Sequence, residues 1–305
     1  MPDDRPQGAS IRGFPVEKPN QNPSETAITS NGNQVRRLRL AQIFVYPVKS
    51  ARGFSPPVWP VDDLGLAWDR RWLVASPDGL ALTQREEPRL ALLVPALTED
   101  RLVLTAAGLP PLAVPLEPAA APELEPVRVL GRPLVAAAVA SEADAWLGRF
   151  LGHEARLWRV HEPRPVNPKY AVSPADRTGF ADGYPLLLLG QASLDDLNAR
   201  LARPVPVDRF RPNLVLAGAP AFAEDAWRRI RVGEIELAVV KPCARCVITT
   251  TDQRTAARGR EPLRTLAGYR RAPDGKVLFG QNAIHLSTGV MRAGDVVSVL
   301  DSAAL

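Results

Sequence analysis

Apolar and polar positions along this chain alternate in short runs, and the runs predict many strands and few helices. Leu38, Leu40, Ile43, Phe44 and Val45 form a strand-like run that ends at Pro47. Trp72, Leu73 and Val74 lead into Pro77-Asp78-Gly79, and Leu80, Leu82 and Thr83 return, which predicts a hairpin over Arg71–Gln84. Further short runs occur at Leu102–Leu104, Leu112–Val114, Val127–Val129, Leu214–Leu216, Ile235–Val240, Val247–Thr250 and Val296–Leu300. The proline-rich stretch from Pro110 to Pro126 suits edges and loops, because proline cannot donate to a central ladder. Two helical periods stand out. Ser141 with Asp144 predicts a capping box ahead of Trp146, Leu147, Phe150 and Leu151, with Gly152 as the stop. Ser193 with Asp196 predicts another, with Leu194, Leu197 and Leu201 on one face. Pro262 suits the first turn of a third helix.

This pattern lacks the strand–helix alternation of a doubly wound sheet. It also lacks GxGxxG and GxxxxGK[ST], so the dinucleotide and P-loop readings have no footing. The expected class is α+β and strand-rich. Residues 1–37, rich in Pro, Asn, Ser and Gly, read as a disordered tail. A first β-rich domain is expected over 38–160 and a second over 161–305, because HEPRPVNPK at 161–169 carries three prolines.

Composition narrows the function. No uninterrupted apolar run approaches the length of about 18 residues that a membrane helix needs. The N-terminus has no apolar signal region. The net charge of +5 is spread along the chain without a basic block interleaved with aromatics, so no nucleic acid partner is expected and a small anionic ligand fits better. Two cysteines among 305 residues exclude a disulfide scaffold and suit a reducing, cytoplasmic setting.

Those two cysteines define the most informative segment, Lys241-Pro242-Cys243-Ala244-Arg245-Cys246, which a Val-Ile-Thr-Thr-Thr run follows. Lys241 and Arg245 bracket them, and nearby cations draw a thiol down from about 8.5 toward neutrality. Three readings of the pair stay open on spacing alone. A structural zinc site needs about four ligands, and the three histidines (His153, His161, His285) stand at no paired spacing. A thioredoxin-like pair should open a helix, whereas the residues after Cys246 read as a strand. Two plain structural cysteines are the third reading. Elsewhere Lys49-Ser50, Asp69-Arg70-Arg71 and Arg209-Phe210-Arg211-Pro212-Asn213 place cations and polar groups at element ends, where such groups suit a phosphate.

Taken in order, YPVKS (Tyr46–Ser50), DRRWLV (Asp69–Val74), QREEPRL (Gln84–Leu90), FADGYPLLLLGQASLDDLN (Phe180–Asn198), FRPNLVL (Phe210–Leu216), CARCVITTTD (Cys243–Asp252), EPLRTLAGYR (Glu261–Arg270) and LFGQ (Leu278–Gln281) resemble the MOSC superfamily. The arrangement is similar to that of the mitochondrial amidoxime-reducing component and its bacterial relatives, and the resemblance runs from about residue 38 to the end. It implies a β-barrel-like MOSC domain with a smaller N-terminal β-rich domain. It also implies a molybdenum cofactor, molybdenum on a pterin dithiolene bearing a phosphate, with Cys246 as the metal's protein ligand. Lys49, Ser50, Arg70, Arg211, Asn213 and Arg245 match positions that hold the pterin and phosphate, and Asp182 falls in a matching segment. The implied reaction is reduction of a small N-hydroxylated substrate, an amidoxime, hydroxylamine or N-hydroxylated base. Its electrons would come from an external flavin or iron–sulfur donor, without a membrane anchor. The alternative is a sulfur carrier or cofactor-handling protein with a persulfide on Cys246. Superfamily members of that kind carry a domain that binds pyridoxal phosphate, and none is expected here. Two residues depart from the pattern: Ala244 stands where relatives often carry Ser, and Asn282 stands where the mitochondrial relatives have Tyr.

Overall fold

The computed structural model describes residues 37–117 and 121–303, so most of the expected tail lies outside the described residues. Strands dominate, as the alternation predicts. A seven-stranded sheet runs in the order Arg39–Ile43, Leu214–Ala217, Leu186–Gly190, Val277–His285, Ile235–Arg245, Trp227–Val232, Val297–Ser302. Its one parallel pair, Leu186–Gly190 with Leu214–Ala217, is linked through the helix Gln191–Ala199, because parallel neighbours need a crossover. The sheet curls until its ends meet. Leu40 N donates to Asp295 O at 2.9 Å, Gly294 N to Leu40 O at 2.7 Å and Val297 N to Leu38 O at 2.9 Å. That contact leaves the first strand's outer edge paired rather than open. Alternate residues fill the interior: Ile235, Leu237 and Val239 from one strand meet Leu186, Leu188, Leu214, Leu216 and Ile230. The chain's early residues belong to this body too, since Val58–Asp62 pairs with Gly289–Arg292.

A second body contains an antiparallel sheet in the order Trp72–Ala75, Arg156–Val160, Arg132–Ala138, Leu124–Val129, and a three-stranded meander, Val94–Leu97, Arg101–Thr105, Leu112–Pro115. The helix Ser141–Leu151 buries Ala143, Trp146, Leu147 and Leu151 against Trp72, Leu90, Leu102 and Leu104. The proline-rich stretch supplies Leu112–Pro115 and Leu124–Val129, each the outermost strand of its sheet.

Several local expectations need correction. Neither capping box forms. Ser141 is the first helical residue and Ala140 caps without a side-chain bond, while the Asp144 carboxylate accepts from Leu157 N at 2.8 Å and ties the helix to its neighbouring strand. Ser193 faces inward, donates to the Glu224 carboxylate at 2.7 Å and accepts from Phe222 N at 2.7 Å. In both cases a tertiary donor or acceptor outcompetes the local cap. The return half of the Arg71–Gln84 hairpin is only a bridge between Ala75 and Ala81. Val247–Thr250 is a 3-10 turn, not a strand. Its β-branched threonines tolerate that turn by bonding backward, Thr249 Oγ1 to Cys246 O at 3.0 Å and Thr250 Oγ1 to Val247 O at 2.8 Å. The preceding strand reaches Arg245, so Cys243 lies on a strand rather than in a connection, and Cys246 caps the turn.

Candidate functional site

Lys49, Ser50, Arg70, Asp182, Arg211, Asn213, Arg245 and Cys246 lie far apart in sequence and all line one cleft where the two bodies meet. Arg85, Tyr184, Arg209, Cys243, Ala244 and Asn282 line it as well. Three of these residues sit in the left-handed region although none is glycine: Ser50 at φ 66°, Arg70 at φ 49° and Arg211 at φ 52°. Each such residue costs on the order of 1–3 kcal/mol and persists only where its surroundings fix it. Here backbone bonds do so: Lys49 N to Trp72 O at 2.8 Å, Arg70 N to Tyr46 O at 2.8 Å and Asn213 N to Leu187 O at 2.8 Å. Gly179 lets the chain pass the Arg70 carbonyl, which a Cβ there would meet at 2.7 Å.

The cations at one end of the cleft are crowded. The Arg70 and Arg211 guanidiniums both lie on the Tyr46 ring, 4.5 and 4.3 Å from its centroid. Arg70 pairs with Asp69 and donates to Asn213 Oδ1 at 2.9 Å. Asn213 also accepts from Leu187 N at 3.1 Å and donates to Phe44 O at 3.2 Å, so its amide is engaged in holding Arg70 and two strands. Burial, and then Arg70, pushes Arg211 down to about 10. Burial likewise lowers Lys49, although it is paired with Asp182 and donates to Phe180 O at 2.8 Å. Burial pushes the Tyr46 phenol well above its ordinary value, so it stays neutral. Arg245 donates to Phe279 O at 2.7 Å and Phe210 O at 3.0 Å, and its buried Nη2 has no partner among the described residues. Buried cations that carry more charge than the acids beside them form a site that an anion would complete.

At the other end Cys246 is half-buried, and its Sγ accepts from Arg85 Nη2 at 3.5 Å. Burial works against the Arg85 charge, but the Cys246 sulfur and Asp182 outweigh it and hold that guanidinium above its ordinary value. Asp182 accepts from Arg85 at 3.4 Å and pairs with Lys49. Burial opposes its charge, yet Lys49 and then Arg85 keep its carboxyl far below the usual range. Asp182 therefore links the two ends of the cleft. Sequence reasoning missed Arg85. It lies inside the quoted QREEPRL run, but its acidic neighbours disguised it as a solvated charge. Its place depends on long-range contacts that no local pattern reports. Gln84 and Gln253 exchange two 2.9 Å hydrogen bonds, and Arg258 donates to the carbonyls of Gln84 and Arg85. Burial pushes the Cys243 thiol up, away from the thiolate form. Among the described residues no three His, Cys, Asp or Glu side chains group so as to hold a metal ion by themselves.

Residues 37–154 match the MOSC N-terminal beta barrel domain and residues 175–298 the MOSC domain. Mitochondrial amidoxime-reducing component 1 of Mus musculus is 36% identical over 278 residues, covering 86% of this chain and 82% of that protein. The chain belongs to the MOSC family. The Homo sapiens amidoxime-reducing component 1 is 34% identical with the same coverage. The molybdenum cofactor sulfurase of Danio rerio is 32% identical over 81% of this MOSC chain, which spans 32% of that longer protein. Of these relatives, the sulfurase carries the molybdenum cofactor in its name. No helix among the described residues is long and apolar enough to cross a membrane.

Proposed function

We propose that this MOSC protein is a molybdenum-cofactor-dependent reductase of small N-hydroxylated compounds. The reading rests on one observation. A half-buried thiol with a guanidinium at 3.5 Å lines a cleft that also gathers Lys49, Arg70, Arg211 and Arg245, with more positive charge than its acids balance. A phosphate-bearing, sulfur-rich cofactor fits that polarity. Cys246 would supply the soft ligand that molybdenum prefers, and the orphaned Arg245 Nη2 and the crowded Arg70 and Arg211 would hold the anionic end. Ser50, Asn213 and Asp182 would set the positions of these cations rather than carry the load themselves. When bound, the cofactor supplies the two electrons that, with two protons, break the substrate's N–O bond and release the amine and one water. The protein holds the cofactor by charge, orients it by the Cys246 sulfur and limits water at the buried end. An external one-electron donor restores the electrons.

Replacement C246S tests this. The variant should fold, lose the metal from the purified holoprotein and lose hydroxylamine reduction. If C246S keeps full metal content and full turnover, the assignment is wrong. The match to a cofactor sulfurase supports a second reading, a sulfur carrier, in which Cys246 bears a persulfide. A mass increase of one sulfur on Cys246 in metal-free native protein would favour it.

A further inference from the structure

Electrons must reach the cleft from a separate protein, and the surface beside Cys246 has the features of a landing site for one. Val247 follows Cys246 directly and is 38% exposed, so a single peptide bond joins the sulfur-bearing residue to the protein surface. Around it lie the loop that follows the 3-10 turn and the helix Leu263–Ala267, which packs against that turn. The loop is fixed to the cleft. Asp252 pairs with Arg209 at 2.9 Å, and Arg258 grips the carbonyls of Gln84 and Arg85. Its exposed charges are arginines. Arg254 and Arg260 are exposed and make no ion pair among the described residues, and Arg264, also exposed, meets only Glu261 at 2.6 Å. Of the acids nearby, Asp252 and Glu261 are already paired, and Asp208, half-buried behind the loop, feels the Arg254 charge without pairing with it.

We propose that the surface formed by Val247, the loop that follows its turn and the helix Leu263–Ala267, which together carry Arg254, Arg260 and Arg264, is the docking surface for an acidic one-electron carrier protein. The proposal rests on the reductase reading above. A small apolar contact with a charged rim is what a transient redox encounter uses: it needs fast association and fast release rather than a large buried area. The basic rim steers an acidic partner, and the Val247–Cys246 link shortens the route for the electron. Each docking event would pass one electron from the carrier to the cleft, so two events and two protons would account for one N–O bond broken, with the oxygen leaving as water.

The test uses holoprotein, a reduced acidic [2Fe–2S] ferredoxin of plant type as the probe, and the variant R254E/R260E. Neither arginine lines the cleft. For the native holoprotein, the second-order rate of cofactor reduction should fall steeply as salt rises. For R254E/R260E it should fall about ten-fold at low salt and lose most of that salt dependence. Hydroxylamine reduction driven by reduced methyl viologen, a small donor that needs no docking, should match the native protein in both. Equal ferredoxin rates for native and variant at low salt would overturn the proposal. So would a native holoprotein that accepts electrons from viologen but none from the ferredoxin. Loss of viologen-driven turnover in the native holoprotein would instead sink the reductase reading.

Discussion

At the scale of single residues, the cleft is paid for in backbone strain. Ser50, Arg70 and Arg211 hold left-handed dihedrals that L side chains avoid by about 1–2 kcal/mol each. The Ser50 side chain is buried, so its chemistry and its strain can be separated by two substitutions. S50G relieves the dihedral and S50A keeps it. In denaturant titrations S50G should therefore be more stable than S50A by about 1 kcal/mol. Equal midpoints for the two would mean that the backbone at this position carries no strain. The charged members of the site were legible in the sequence as residue types at element ends. Their grouping was not, because Lys49, Asp182, Arg211 and Cys246 meet through contacts spanning more than a hundred residues. Arg85 shows the limit most clearly. Nothing within its own segment says that its guanidinium turns toward a sulfur 161 positions away.

At the scale of elements, the strands were easier to read than the helix ends. Two-residue alternation marks strands such as Ile235–Arg245 directly, because one face of each is buried. Helix caps depend on what else competes for the side chains of the box: Asp144 is drawn to Leu157 N in one and Ser193 to Glu224 in the other. Ser193 gives the sharper case. It binds Glu224, whose carboxylate also accepts from Gly190 N at 3.0 Å, and Glu224 is 1% exposed. Burial raises the Glu224 carboxyl above its ordinary 4.5. The sign follows by linkage. The folded chain holds this proton more tightly than the unfolded chain does, so the contribution is full below about 4.5 and shrinks as pH rises through the folded-state value. E224Q cannot titrate. The stability difference, native minus E224Q, should therefore be larger at pH 4.5 than at pH 7, measured by urea unfolding at the two values. A difference independent of pH would show that Glu224 ionises as freely in the fold as in the open chain.

At the scale of the whole molecule, the cleft is an assembly product of both bodies. Its walls come from the turn at Lys49–Ser50, the bends at Arg70 and Arg211 and the end of the strand at Arg245 with Cys246 after it, and the buried Gln84–Gln253 amide pair ties the segment that carries Arg85 to the loop after Cys246. A ligand that engages these segments together is bound by the folded chain alone, so its binding energy adds to folding stability. Inorganic pyrophosphate can report this without the cofactor, since it offers the phosphate chemistry that the crowded cations lack. At about 100 times its dissociation constant it should stabilise the metal-free protein by about 2.7 kcal/mol. The response should come from both bodies at once, raising a single cooperative unfolding transition rather than splitting it. Removing Arg211, the cation pushed down to about 10 by burial and by Arg70, should weaken that stabilisation at pH 7 while leaving the ligand-free chain folded. If pyrophosphate protects R211A as strongly as the native chain in the same thermal scans, the anion is held elsewhere, and the positive end of the cleft has some use other than a phosphate.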